Sequence, residues 1–220
     1  MKIKSIAAIC KKSKRVVLYS KRNIEGDIVQ QYISDAGAVY PVSGLPALDE
    51  ESILTIFDIP EKQREDWFVK DADIPDGINF EDMDSSEQII ERVGLSIVYA
   101  GKTLKPLQTR HGLIFMESRY LAPISDVLDV MELYERATPG GEPYIVAKAG
   151  FLLQAVIMPN DIITDQFVHG VQELARQCAA ALAEKEEKRR RKAIIDPQYS
   201  FNVDPEIGEV IEPESEVTHE

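Results

Sequence analysis

The chain has 220 residues, a formal net charge of −13, 44% hydrophobic and 29% charged residues. That length and composition suit a folded globular protein of one large or two small domains, and no apolar run approaches the roughly 20 residues needed to span a bilayer. The expectation is a cytoplasmic protein without membrane contact, whose acidity disfavours nucleic-acid backbones unless its basic residues are segregated.

Taken in chain order, the N-terminal "MKIKSIAAICKKSKR" starts with positive charge, but "SIAAIC" is shorter than a signal-peptide core and is read as part of a strand. Residues 1–48 then read as strands ("IKSIAAIC", "RVVLYS", "DIVQQYI", "AVYPV"), with "KKSK" and "KRNIEGD" as hairpin connections. "LDEESILTIFDIP" predicts a short helix, with acids at its start and Pro60 closing it. Residues 61–84 are acidic and read as an ordered surface segment pinned by Trp67, Phe68, Ile78 and Phe80. "SSEQIIERV" predicts a second short helix capped by Ser85 or Ser86.

"LSIVYAGKTLKPLQTRHGLIFME" predicts three strands joined by turns at Ala100-Gly101 and His111-Gly112. A helix is expected over "ISDVLDVMELYERA", on the spacing of Ile124, Val127, Leu128, Met131 and Tyr134. "TPGGEP" breaks it, and "YIVAKAG" with "FLLQAVIM" forms a hairpin about Ala149-Gly150. The longest helix begins near Asp161. Its stripe of Phe167, Val171, Leu174, Cys178 and Leu182 predicts a face packed on the sheet, and it runs on into "AEKEEKRRRK". From Ile195 the acidic, proline-bearing remainder reads as a flexible tail.

These elements give an α+β fold, an antiparallel sheet of hairpins with helices packed on one face. The parts expected are 1–92, 93–194 ending in the long helix, and an acidic tail at 195–220. Three stretches around Gly37, Gly112 and Gly150 share a pattern: a strand, the glycine turn, a second apolar strand, a proline (Pro46, Pro123, Pro159) and a helix start. Strand–turn–strand–helix units repeated three times would produce it.

Chemical motifs are sparse. "AGKT" at 100–103 lacks the first glycine of a phosphate-binding loop, where Ser96 stands, and Pro106 forbids the helix that should follow. There is no nucleophile-elbow motif, and the histidines are His111, His169 and His219. Glu81, Asp82 and Asp84 lack calcium-loop spacing and read as a solvated acidic loop. Cys10 and Cys178 match no metal or redox spacing and read as buried thiols. No enzyme activity, cofactor or metal is expected.

Charge is segregated. Residues 1–22 hold Lys2, Lys4, Lys11, Lys12, Lys14, Arg15, Lys21 and Arg22 and no acid, and a second basic cluster, "KRRRK", spans 188–192. Residues 203–220 hold Asp204 and six glutamates. The candidate anion- or nucleic-acid-binding residues are therefore Lys11, Lys12, Lys14, Arg15, Arg189, Arg190 and Arg191.

Over residues 1–183, "ICKKSKRVVLY", "GAVYPVSGLPALDEESILTIFDIPEK" and "ELYERATPGGEPYIVAKAGFLLQAVIMPNDII" resemble a family of uncharacterised prophage and mobile-element proteins of Firmicutes. The resemblance implies an accessory role in a bacterial host cell and carries no site residue. The leading expectation is a non-enzymatic phage accessory protein that binds another protein. The alternative is a DNA-associated, clamp-like factor that binds through the basic clusters.

Overall fold

Eight strands form the main sheet of the computed structural model, in the order Phe68–Asp73 (β4), Arg15–Arg22 (β1), Ile28–Ser34 (β2), Ala38–Val42 (β3), Leu152–Ile157 (β11), Pro143–Ala149 (β10), Met131–Ala137 (β9), Gln88–Ile89 (β5). The structure describes residues 2–91 and 94–195, together with a strand pair at 202–203 and 210–211, and side chains as far as Lys192. β1 (Arg15–Arg22), β2 (Ile28–Ser34) and β3 (Ala38–Val42) make one antiparallel meander. β9 (Met131–Ala137), β10 (Pro143–Ala149) and β11 (Leu152–Ile157) make another. The meanders meet where β3 pairs antiparallel with β11, so their order is mirrored about that seam. The outer strands are β4 (Phe68–Asp73), parallel to β1, and the short β5 (Gln88–Ile89), antiparallel to β9. A separate three-stranded antiparallel sheet holds β6 (Ile97–Tyr99), β7 (Lys102–Thr109) and β8 (Gly112–Glu117).

The architecture is α+β and mostly antiparallel, as expected. Strand–turn–strand–helical segment occurs at all three glycines. Gly37 lies between β2 and β3 before α2 (Glu50–Ile56) and the short α3 (Glu61–Arg64), Gly112 opens β8 just after the Arg110-His111 turn and before a 3-10 segment (Ser118–Ile124), and Gly150 lies between β10 and β11 before the long helix. The chain divides into two compact units, Met1–Asp161 and Ile162–Glu220. Strands from both sides of position 92 share the eight-stranded sheet.

Alternating side chains of the meanders feed two apolar clusters. One gathers Val16, Leu18, Ile33, Tyr40, Ile145 and Ile157 with Ile6 and Cys10, Ile53 and Leu54, and Tyr120 and Ile124 of the helical segments. The other gathers Tyr32, Val39, Tyr144, Val146 and Val156 with Phe80 of the acidic segment. Phe80 thus anchors that segment, edge-on to Tyr32 and Tyr19 at 5.0 and 5.7 Å between ring centres.

Several expectations are corrected. Residues Ile3–Ser13 form helix α1, not a strand: Ile6, Ala7, Ile9 and Cys10 are buried at helical spacing, and Lys11 and Lys12 suit the helix's negative C-terminal end. Lys14, at φ 50°, turns the chain out of the helix, so "KKSKR" is a helix-to-strand junction and not a hairpin tip.

Residues 124–137 are not a helix. The 3-10 segment ends at Ile124, and "MELYERA" is strand β9, burying Met131, Leu133 and Glu135 at alternate positions. Pairing along the whole of β10 outweighs the helical spacing of the same residues. "SSEQII" likewise pairs with β9 through Gln88 and Ile89, while Asp84 accepts hydrogen bonds from the Ser86 N–H and hydroxyl at 2.8 and 2.7 Å. Arg92 and Val93 lie outside the described residues.

The long helix, α4 (Asp165–Ile195), exists, but its stripe is not buried as expected. Phe167 is buried, yet Leu174 and Leu182 are 60% and 59% exposed, and Cys178 is an exposed thiol, not a buried one. Helical spacing identifies a stripe without showing that a surface covers it. The tail expected from Ile195 onwards lies mostly outside the described residues. Within it, Asn202–Val203 pairs with Val210–Ile211.

Candidate binding groove

The seam between the meanders is incomplete. β3 and β11 pair only through Ala38 with Ile157 and Val39 with Val156, after which they diverge. Two local features cause this. Pro41 has no N–H to offer a neighbouring strand. On β11, Ala155 pairs with Ala147 but Leu153 pairs with Lys148, so Gln154 is a bulge that twists the strand away. The Leu153 N–H donates to Asp82 of the acidic segment at 2.8 Å.

The divergence opens a groove of about 670 Å³ lined by Lys21, Gln30, Tyr32, Pro41, Phe80, Leu152 and neighbouring residues. Its floor is aromatic: Tyr32 and Phe80 are buried, and the Tyr32 hydroxyl donates to the Phe80 carbonyl at 3.3 Å. Burial, then the nearby Glu81 and Asp82 carboxylates, push the Tyr32 phenol up to about 12, so it stays a donor at neutral pH. The rim is open and mixed: Val29 and Leu152 are 56% and 60% exposed, beside the polar Lys21, Gln30, Ser43, Glu81 and Gln154. Lys21 and Glu81 form an ion pair across its mouth.

A buried ionic cluster holds the acidic wall in place. Arg136 on β9 is 0% exposed. Its Nε and Nη2 donate to Glu87 Oε2 at 3.0 and 2.6 Å, and its other donors reach the carbonyls of Asn79, Glu81 and Asp82 at 3.0, 2.8 and 3.3 Å. Lys148 on β10 donates to the second Glu87 oxygen at 2.6 Å and sits over the Tyr134 ring. A planar fork is suited to binding a carboxylate and a curved loop at once. Sequence reasoning passed over Glu87, Arg136 and Lys148, although Glu135-Arg136 and Lys148 are charges inside otherwise apolar strands. Nearby, the buried Glu135 carboxylate accepts from the Arg110 N–H at 2.9 Å and meets the His111 ring.

The turn before β3 is tied to the 3-10 segment. The buried Asp35 carboxylate accepts from the Gly37 and Ala38 N–H groups at 2.9 and 3.0 Å. A Cβ at Gly37 would lie 2.0 Å from the Tyr120 hydroxyl, so only glycine fits. Burial, reinforced by Asp35, pushes the Cys10 thiol up to about 12.

The residues singled out by sequence lie elsewhere. Lys11 and Lys12 are exposed at the end of α1, where Lys4, Ala8, Lys11 and Lys12 share one helical face. Lys14 pairs with Asp66 at 3.1 Å, and Arg15 stacks on the Phe68 ring at 5.1 Å. Arg189, Arg190 and Arg191 are exposed on α4, with Arg191 paired to Glu187. The first group belongs to one compact unit and the second to the other. Of the acidic trio, Asp82 and Asp84 hold structural hydrogen bonds and Glu81 pairs with Lys21. His169 is exposed on α4. Among the described residues, no group of three or more His, Cys, Asp or Glu side chains is placed to hold a metal ion, and no helix is long and apolar enough to cross a membrane.

Comparison with protein-family models, with curated proteins and with solved structures finds no match.

Proposed function

We propose that this chain is a non-enzymatic accessory protein of a phage or mobile element that binds another protein through the groove between β3 and β11. The observation that carries the reading is the groove itself: an aromatic floor, exposed apolar rim residues at Val29 and Leu152, and two strands that diverge at a proline and a bulge. Such a site suits an extended segment that sets an apolar side chain over Tyr32 and Phe80 and exchanges polar contacts with Gln30, Gln154 and the Lys21–Glu81 pair. The resemblance of residues 1–183 to prophage proteins supplies the accessory role.

The test is affinity capture from host cells with the wild-type chain and with a Val29→Asp, Leu152→Asp variant, whose changes fall on exposed side chains. A protein retained by the first and lost by the second, and that binds the wild type when purified, supports the reading. If the two chains capture the same proteins, the groove is not the site.

A second reading, DNA association through the basic clusters, is favoured by the face of α1 that carries Lys4, Lys11 and Lys12. Its affinity for duplex DNA should fall with salt at a log–log slope of about −0.9 per phosphate neutralised. It should also weaken on charge reversal at Lys11, Lys12, Arg189 and Arg190. Absence of binding at low salt removes it.

A further inference from the structure

We infer that the exposed face of α1, carrying Lys4, Lys11 and Lys12, is by itself a docking surface for the phosphate backbone of duplex DNA, and that the basic end of α4 takes no part. The inference rests on the second reading above and narrows it to one site on one face of the sheet.

The structure separates two clusters that sequence makes look equivalent. On α4 the basic run has acid within reach throughout. Lys188 pairs with Glu184 at 2.6 Å, and Arg191 pairs with Glu187. Glu186 stands three and four residues before Arg189 and Arg190, the spacing of neighbours on a helix surface. On α1 there is no acid at all. Lys4, Lys11 and Lys12 are exposed, and none has a hydrogen-bond or ion-pair partner among the described residues. Lys14, Lys21, Arg22 and Arg64 of the same compact unit each have an acidic partner.

The composition of the face selects its occupant. Lys4 and Lys12 are eight residues apart, so the three ammonium groups line one side of the helix over about 12 Å, at about 1.5 Å per residue. Between them stands only Ala8, whose methyl lets a rod-like partner come close. The face offers no aromatic or large apolar anchor of the kind that carries a protein interface. It cannot enter a membrane surface either, because the apolar side of α1, with Ile6, Ala7, Ile9 and Cys10, is already buried in the core. What remains is a row of point charges suited to phosphates, which position a duplex without reading its bases. The negative end of the helix dipole is partly answered before any phosphate arrives. The Cys10 carbonyl accepts from the Lys14 N–H and from the Ser13 hydroxyl, the latter at 3.2 Å.

The sheet keeps the acidic wall away. Ile6 and Cys10 of α1 pack into the cluster with Val16, Leu18 and Ile33, whereas Phe80 of the acidic segment packs into the cluster on the other face. One packed layer is about 10 Å deep, which already equals a Debye length of about 10 Å at 0.1 M salt. Tyr32, Phe80 and Leu153, which line the groove, belong to that far face. A duplex on α1 and a guest in the groove therefore do not compete.

The experiment follows the fluorescence anisotropy of a labelled, mixed-sequence DNA duplex titrated with the full chain. Three neutralised phosphates give a log–log slope of about −2.7, so affinity should be about 80-fold weaker at about 100 mM than at about 20 mM salt. Lys4→Glu, Lys11→Glu, Lys12→Glu together should abolish binding while circular dichroism stays that of the wild type. Arg189→Glu, Arg190→Glu should leave the slope unchanged, as should Val29→Asp, Leu152→Asp in the groove. Binding that survives the triple reversal, or a slope that flattens on reversal at Arg189 and Arg190, overturns the inference and leaves DNA association standing. No binding of the duplex at the lower salt overturns both. Retention by phosphatidylserine vesicles without duplex binding makes an anionic lipid surface the occupant and overturns the inference as well.

Discussion

Replacing Arg136 with methionine should unlatch the acidic wall of the groove. The fully buried guanidinium binds Glu87 through two donors and holds the carbonyls of Asn79, Glu81 and Asp82 at 2.8 to 3.3 Å. Methionine fills much of the space and offers no donor. Removing one partner of a buried ion pair costs about 3–5 kcal/mol when the other charge is left alone. Here Lys148, at 2.6 Å, still neutralises Glu87, which lowers that figure, while the orphaned carbonyls add about 1–3 kcal/mol each where water does not reach them. A net loss of at least about 3 kcal/mol follows. Glu87→Gln, which leaves two buried cations without a carboxylate, should cost at least as much. Urea denaturation followed by circular dichroism reads both, and limited proteolysis should find the 79–87 segment newly cleavable in Arg136→Met. A loss below about 1 kcal/mol, or a segment no more cleavable than in the wild type, would refute the latch.

Gly37→Ala should destabilise by about 1–3 kcal/mol through overpacking against Tyr120. Tyr120→Phe in that background should restore only part of it, because the ring carbon behind the hydroxyl is 2.7 Å from the added methyl, and urea midpoints measure both. Ile33→Ala, in the core, should cost about 2–5 kcal/mol. Leu174→Ala, at a side chain 60% exposed, should cost less than about 0.5 kcal/mol. In the folded chain Cys178 should alkylate readily while Cys10 resists, since a thiol held near 12 instead of 9.0 carries about 10³-fold less thiolate at pH 8. Because the folded-state value is raised, the unfolded thiol loses its proton first. Stability should therefore fall as pH rises from about 9 towards 12 and should be unaffected by Cys10 below that range. Alkaline denaturation of wild type and Cys10→Ala checks the sign.

The sequence by itself determined the α+β class, most of the strands, the turn at Ala100-Gly101, a hairpin whose turn falls one residue later than expected, at Gly150-Phe151, and the order strand, strand and helical segment around Gly37, Gly112 and Gly150. Those features are local. Ala100 and Gly101 both need positive φ, and the β-branched runs pair with their nearest neighbours in the chain. It also marked α4 and its stripe, because the spacing of Val171, Leu174 and Cys178 is a property of the helix alone.

Tertiary structure decided what these elements face. "MELYERA" satisfies both helical and alternating spacing, and only the waiting edge of β10 makes it a strand. "IKSIAAIC" reads as extended until Ile6, Ile9 and Cys10 are seen packed with Tyr40 and Ile124. The groove depends on how far two strands distant in sequence stay paired, which no local pattern encodes. Glu87, Arg136 and Lys148 look like surface charges in a chain rich in them, and they become a buried latch only when three separate segments converge.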